Sequence, residues 1–163
     1  MVWNFIIYLL YGLAFFTLGV AILSRDTRFS ELGIARILWL LAIFGIIHGF
    51  HEWLELLEHL NPGIISPAFS LTRLLVVSLS FLFLLYFGIF LNLISLYGDQ
   101  TLQTTPKITK AIIGAIALAI IILAILFDFS SGTDINVRRM VAFPGGLLSG
   151  IGLILYSLTV RAI

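Results

Sequence analysis

With 61% hydrophobic residues, 10% charged residues and a formal net charge of +1 over 163 residues, this chain cannot clothe a water-facing globule. Its mean hydropathy of +1.16 excludes an ordinary soluble domain, and the near-zero charge argues against nucleic acid as a partner. Cysteine is absent, which removes disulfides and thiolate metal sites.

Five apolar runs, at 2–23, 34–57, 68–97, 108–128 and 139–160, each approach the ~20 residues needed to span about 30 Å of hydrocarbon. They predict a single all-α domain over 1–163, a five-helix transmembrane bundle. The first run lacks a basic leader and ends at Ser24-Arg25-Asp26 without a small-x-small site, so it reads as a span and not a cleaved signal peptide. It carries Asn4, Tyr8 and Tyr11 on one face. The connecting loops of about 8–11 residues leave no room for an extramembrane domain, so hydrolase or transferase chemistry is not expected. Orientation follows from the cations. An N-terminus outside places Arg25, Arg28, Arg36, Lys107, Lys110 and Arg161 inside against Arg73, Arg138 and Arg139 outside, which favours N-out, C-in.

The second run is the anomalous one. His48-Gly49-Phe50-His51-Glu52-Trp53-Leu54-Glu55 lies in its outer half, and with Glu58 and His59 it holds all three histidines of the chain and three of the eight acids. A charge in hydrocarbon costs roughly 2.5–3.5 kcal/mol even on the lenient insertion scale, so such a cluster points to use. A rise of about 1.5 Å per residue puts His48 about 18 Å and Glu52 about 24 Å above the inner boundary. His48, Glu52, Glu55 and His59 fall within a sector of roughly 60°, with His51 about 60° to one side.

Imidazole and carboxylate suit zinc, copper or iron, and His48 with Glu52 or His51 with Glu55 can chelate from one helix face. The expected metal ligands are therefore His48, His51, Glu52, Glu55 and His59. Haem is an alternative, but with all histidines on one helix the chain offers one obvious axial ligand. A hydrogen-bonded pocket for another ligand, or a helix end with solvated acids, also fits. His48-x-x-His51-Glu52 matches neither H-E-x-x-H nor H-x-x-E-H, which argues against a metalloprotease.

Arg73, opening the third run, either neutralises Glu52 or Glu55, snorkels, or holds an anionic ligand. The fourth run, Ala111 to Phe127, is apolar and supplies packing and lipid contact. In the fifth, one of Arg138 and Arg139 is expected to turn inward. Phe143-Pro144-Gly145-Gly146 predicts a kink, and Gly146-x-x-x-Gly150 a close-packing face. Trp3 and Trp53 fit an outer aromatic belt. Arg73, Arg139, Tyr8 and Tyr11 complete the expected ligand-binding set.

His48-Gly49-Phe50-His51-Glu52-Trp53 in a second span, Arg73 opening a Leu- and Ser-rich third, and Arg139 before Phe143-Pro144-Gly145 in a fifth resemble the N-terminal membrane-embedded sensory regions of prokaryotic sensor histidine kinases and related diguanylate cyclases. The resemblance runs over essentially the whole chain, and its most specific element is H-G-x-H-E-W. It implies the input module of a two-component or related signal-transduction protein, lodged as a multi-pass homodimer in the inner (cytoplasmic) membrane. A cytoplasmic PAS, kinase or cyclase output module is implied beyond Ile163, and a sensing site at His48, His51, Glu52, Arg73 and Arg139. The rivals are a membrane cytochrome or other electron-transfer subunit, a small transporter, and a purely structural membrane subunit. The transporter predicts polar residues continuing to the inner side, where the runs lack them.

Overall fold

The structure, a computed structural model, describes residues 2–25, 32–98, 107–131 and 135–161. Within them the chain is helical: α1 (Val2–Leu23), α2 (Leu38–Leu60), α3 (Pro67–Tyr97) and α4 (Lys107–Ser131). Then comes α5, a continuous run made of Ile135–Val137, a π-helical turn Arg138–Ala142 and Phe143–Arg161. Among the described residues, four helices are long and apolar enough to cross a membrane: Trp3–Leu23, Leu38–Leu60, Pro67–Tyr97 and Ile135–Val160. In α4, the remaining helix, the described apolar stretch Ile113–Phe127 is shorter. Asp26 and Arg28 lie outside the described residues, as do the side chains of Lys110 and Arg161.

Local chemistry sets the boundaries. A 3₁₀ turn, Gly33–Arg36, precedes α2, whose start falls later than the apolar run suggested. Asn61-Pro62 ends α2, because proline has no N–H to continue the ladder. Ser66 then caps α3, its Oγ accepting from the Phe69 N–H at 3.2 Å, with Pro67 preset for the first turn. Gly98 closes α3 at φ 87°, a left-handed conformation that favours glycine.

Helix α3 is the centre of the bundle, with 56% of its span buried against 11% for α1. It packs on α2, α4 and α5, whereas α1 packs on α2. Two apolar clusters mark its two ends. Leu74, Val77 and Leu85 meet Ala117 and Ile121 of α4 and Val137 and Val141 of α5. Phe87, Phe90, Leu91 and Ile94 meet Ile37 and Leu40 at the start of α2 and Tyr156 near the end of α5. The end of α2 and the beginnings of α3 and α5 therefore gather at one end of the bundle. Trp3, Ile7, Leu10, Leu126, Phe127, Ile154 and Leu158 remain more than half exposed, a surface suited to lipid.

Small residues let backbones approach. A Cβ on Gly19 would stand 2.6 Å from the Ala42 carbonyl, and one on Gly49 2.7 Å from the Gly12 carbonyl, so α1 and α2 touch main chain to main chain. Between α3 and α5 the tight point is Gly88, where a Cβ would meet the Ser149 N at 2.8 Å. Polar side chains lace the same seam. Asn92 Nδ2 donates to the Leu148 carbonyl at 2.7 Å, Ser149 Oγ to Leu84 O at 3.1 Å and Ser95 Oγ to Gly152 O at 3.3 Å. The Ile34 N–H donates to the Tyr156 hydroxyl, tying the far end of α5 to the turn before α2.

One expectation for α5 needs correction, and the other is refined. Gly146 and Gly150 have nothing within 4 Å of a Cβ position, so they are not the close-packing face within this chain; Gly145 and Gly152 approach α3 instead. The irregularity near Pro144 is a π turn placed before it, in which the Phe143 N–H donates to the Arg138 carbonyl. Pro144 brings no N–H of its own, and the widened turn accommodates that loss inside a continuous helix.

Gly88→Ala should lower the stability of the detergent-solubilised protein by about 1–3 kcal/mol through overpacking, while Gly146→Ala should cost nothing. Thermal unfolding followed by circular dichroism separates the two.

Candidate functional site

Imidazole and carboxylate alternate along the inward face of α2. The His48 ring is buried among aromatics, with centroids 4.6 Å from Phe15, 5.1 Å from Phe44 and 5.0 Å from Phe81. Helices α1, α2 and α3 each supply one wall. His48 Nδ1 lies 3.2 Å from Ser80 Oγ, and its Nε2 lies 3.4 Å from Glu52 Oε1. His51, 1% exposed, repeats the pattern three residues on, its Nε2 3.5 Å from Glu55 Oε1.

The proton content of the His48–Glu52 pair turns on the His48 tautomer. The Ser80 hydroxyl has one proton and two acceptors in reach, the Val77 carbonyl at 2.7 Å and His48 Nδ1 at 3.2 Å. Where that proton goes to Val77, His48 Nδ1 is the donor and a neutral ring turns a bare Nε2 lone pair to Glu52 at 3.4 Å, a contact that requires a proton or another cation between the two atoms. A tetrahedral metal with bonds of about 2.0–2.2 Å holds adjacent donors about 3.4 Å apart. Both His–Glu pairs have that spacing.

Beyond the pairs lies an ionic chain. Arg73 Nη1 donates to Glu55 Oε2 at 3.1 Å and also to Glu58 Oε2, so Glu55 bridges His51 to the guanidinium. Arg73 thus takes the pairing role expected of it with Glu55, and adds Glu58, while Glu52 is left to His48. Of the two arginines opening α5, Arg138 lies within electrostatic reach of both His48 and Glu52. Both arginines are exposed, so the expected split between them is one of electrostatic reach and not of burial.

The remaining expected residues are spread out. His59 stands against Tyr8, ring centroids 6.2 Å apart, at the rim. Tyr11 is half exposed and packs edge-on against Phe15 at 4.9 Å, so it buttresses the cage around His48 and does not line the His–Glu stripe. Trp53 is partly buried against Phe16 and Phe50, more a packing residue than a belt residue. Among the described residues no three His, Asp or Glu side chains converge as one metal-ligand group. His48, His51, Glu52, Glu55 and His59 therefore form two His–Glu pairs and an outlying ring, not a five-ligand set.

Ser80, Phe15, Phe44 and Phe81 were not legible in the sequence as partners of the cluster, and Arg139 was expected at the site where Arg138 is the arginine in electrostatic reach. Ser80, fully buried in an apolar helix, was the one polar signal among them; the phenylalanines look like any other lipid-facing or core residue until the helices are packed.

Ser80→Ala should destabilise the protein by about 1–3 kcal/mol, because His48 Nδ1 loses its partner in a buried site. Arg73→Leu should cost more than Arg73→Leu combined with Glu55→Gln, with a coupling of about 0.5–3 kcal/mol in a double-mutant cycle read from thermal or denaturant unfolding in detergent.

No family model matches the chain, and neither a curated protein nor a solved structure does.

Proposed function

We propose that the chain is the membrane-embedded input module of a signal-transduction protein, and that the His48–Glu52 and His51–Glu55 pairs are its cation-binding site. The observation that carries this reading is the buried His48 Nε2 to Glu52 Oε1 contact at 3.4 Å, beside a Ser80 hydroxyl that can give its proton to the Val77 carbonyl and accept from His48 Nδ1. The gap takes a proton or a transition metal such as zinc, copper or iron. Haem is supported less, because both Nε2 atoms already face carboxylates. A transport path is also supported less, because the polar groups toward the other end of the bundle serve the α3–α5 seam.

In this reading the N-terminus is outside and the cluster opens to the outer face of a prokaryotic inner membrane. Occupancy changes the charge between α2 and the Arg73 and Arg138 guanidiniums, favouring one of two packings of α2 against α3 and α5. The Asn92, Ser95 and Ser149 hydrogen bonds make α3 and α5 move together. Their joint displacement is passed to a cytoplasmic kinase or cyclase module, in a homodimer. The chain itself performs no catalysis.

The test is elemental mass spectrometry on chain purified in detergent without chelators, paired with infrared spectroscopy of the carboxyl region. Near-stoichiometric metal that is lost in the His48→Ala, His51→Ala double variant is the expected result for a metal site. Absence of metal together with a protonated-carboxyl band that disappears in Glu52→Gln, or an imidazolium band that disappears in His48→Ala, is the expected result for a proton site. Neither signal would reduce the cluster to a structural one and overturn the proposal.

A further inference from the structure

Away from the His–Glu stripe, a crevice of about 290 Å³ opens on the side of the bundle. Its walls come from Trp39 and Leu40 of α2, Leu82, Phe83 and Tyr86 of α3, and Gly114 and Leu118 of α4. The crevice exists because α2 and α4 both pack on α3 but scarcely on each other. Gly114 keeps it open, since a side chain there would run into the Tyr86 hydroxyl. Trp39 and Phe83 meet edge to face at 6.4 Å and form one lip.

Two facts decide what fills such a space. The lining is almost wholly apolar, so water entering it would forfeit the two to four hydrogen bonds that hold an internal water. The volume is near the lower end of the roughly 300–1,000 Å³ of ligand pockets, and an unfilled void of that size forfeits dispersion contacts on every wall. Of the walls, α2 and α3 are candidate membrane spans, and Trp39 is half exposed at the mouth. The crevice therefore opens sideways toward hydrocarbon.

We infer that this crevice is a binding site for a hydrocarbon chain of a membrane lipid, seated between α2 and α4 on the Leu82–Phe83–Tyr86 face of α3. The chain takes the place of the α2–α4 contact that the fold lacks, bridging the two helices with apolar surface. The inference is independent of the signalling proposal, since it uses none of the residues of the His–Glu cluster.

The experiment is native mass spectrometry of the whole chain, purified in mild detergent and exchanged with phosphatidylcholine. One lipid per chain should survive activation that strips the remainder, and it should be lost in Leu118→Trp and, separately, in Leu82→Trp, which fill the crevice from opposite walls. Leu153→Trp, on the exposed face of α5, should retain it. Circular dichroism identifies a variant that fails to fold, and the other crevice variant then decides. As a second readout, phosphatidylcholine bearing a diazirine on its acyl chain should label the peptides containing Phe83 or Leu118. No retained lipid in the unmodified chain, retention in both tryptophan variants, or labelling confined to α1 and α5 would overturn the inference. A second protein chain cross-linked at the crevice in place of lipid would overturn it as well.

Discussion

A polar group surrounded by hydrocarbon must find its partner within the protein, and the bundle is organised around meeting that demand. Helix α2 brings two imidazoles and three carboxylates into the half of the bundle where α3 begins. Everything that surrounds them answers in kind: Arg73 on Glu55 and Glu58, Ser80 on His48, Arg138 in reach of His48 and Glu52. Helix α3 supplies most of these partners. That explains why the longest helix is also the most buried one, and why it stands between α2 and α5.

Satisfying the cluster requires helices close enough to reach it, and the closeness comes from small residues. Gly12, Gly19, Gly45 and Gly49 bring α1 onto α2, which puts Phe15 on the His48 ring and Tyr8 beside His59. Gly88 does the same for α3 and α5, whose seam is then secured by side chains donating to helix carbonyls. The π turn at Arg138–Ala142 sits where α5 passes the cluster, and irregular turns of this kind are frequent at functional sites. It presents Arg138 toward α2 while the helix continues past Pro144.

The two halves of the bundle thus differ in chemistry. At one end, ionisable groups are paired: His48 with Glu52, His51 with Glu55, and Arg73 with Glu55 and Glu58. At the other, α3 and α5 are clasped by uncharged donors, and the crevice beside α2 and α4 is lined by apolar and aromatic groups.

Composition and run length were enough to give an all-helical membrane chain, because ~20 apolar residues have few other fates and a helix satisfies its own backbone. The stripe on α2 was equally legible, since helical periodicity alone aligns His48, Glu52 and Glu55. Arg73 as partner of Glu55 followed from the cost of a lone cation. What periodicity on one helix does not contain is the identity of groups on the facing helices. Glu58 as the second partner of Arg73, Ser80 as the anchor of His48, and Arg138 as the arginine near Glu52 were fixed by how α2, α3 and α5 are rotated against one another. The same holds for the glycines. Gly146 and Gly150 have the spacing of a packing motif, yet Gly88, Gly145 and Gly152 make the contacts, because rotation about the helix axis decides which small residue meets a neighbour. Whether five candidate ligands form one site or two separate pairs is likewise a matter of side-chain convergence in space, which only the packed bundle determines.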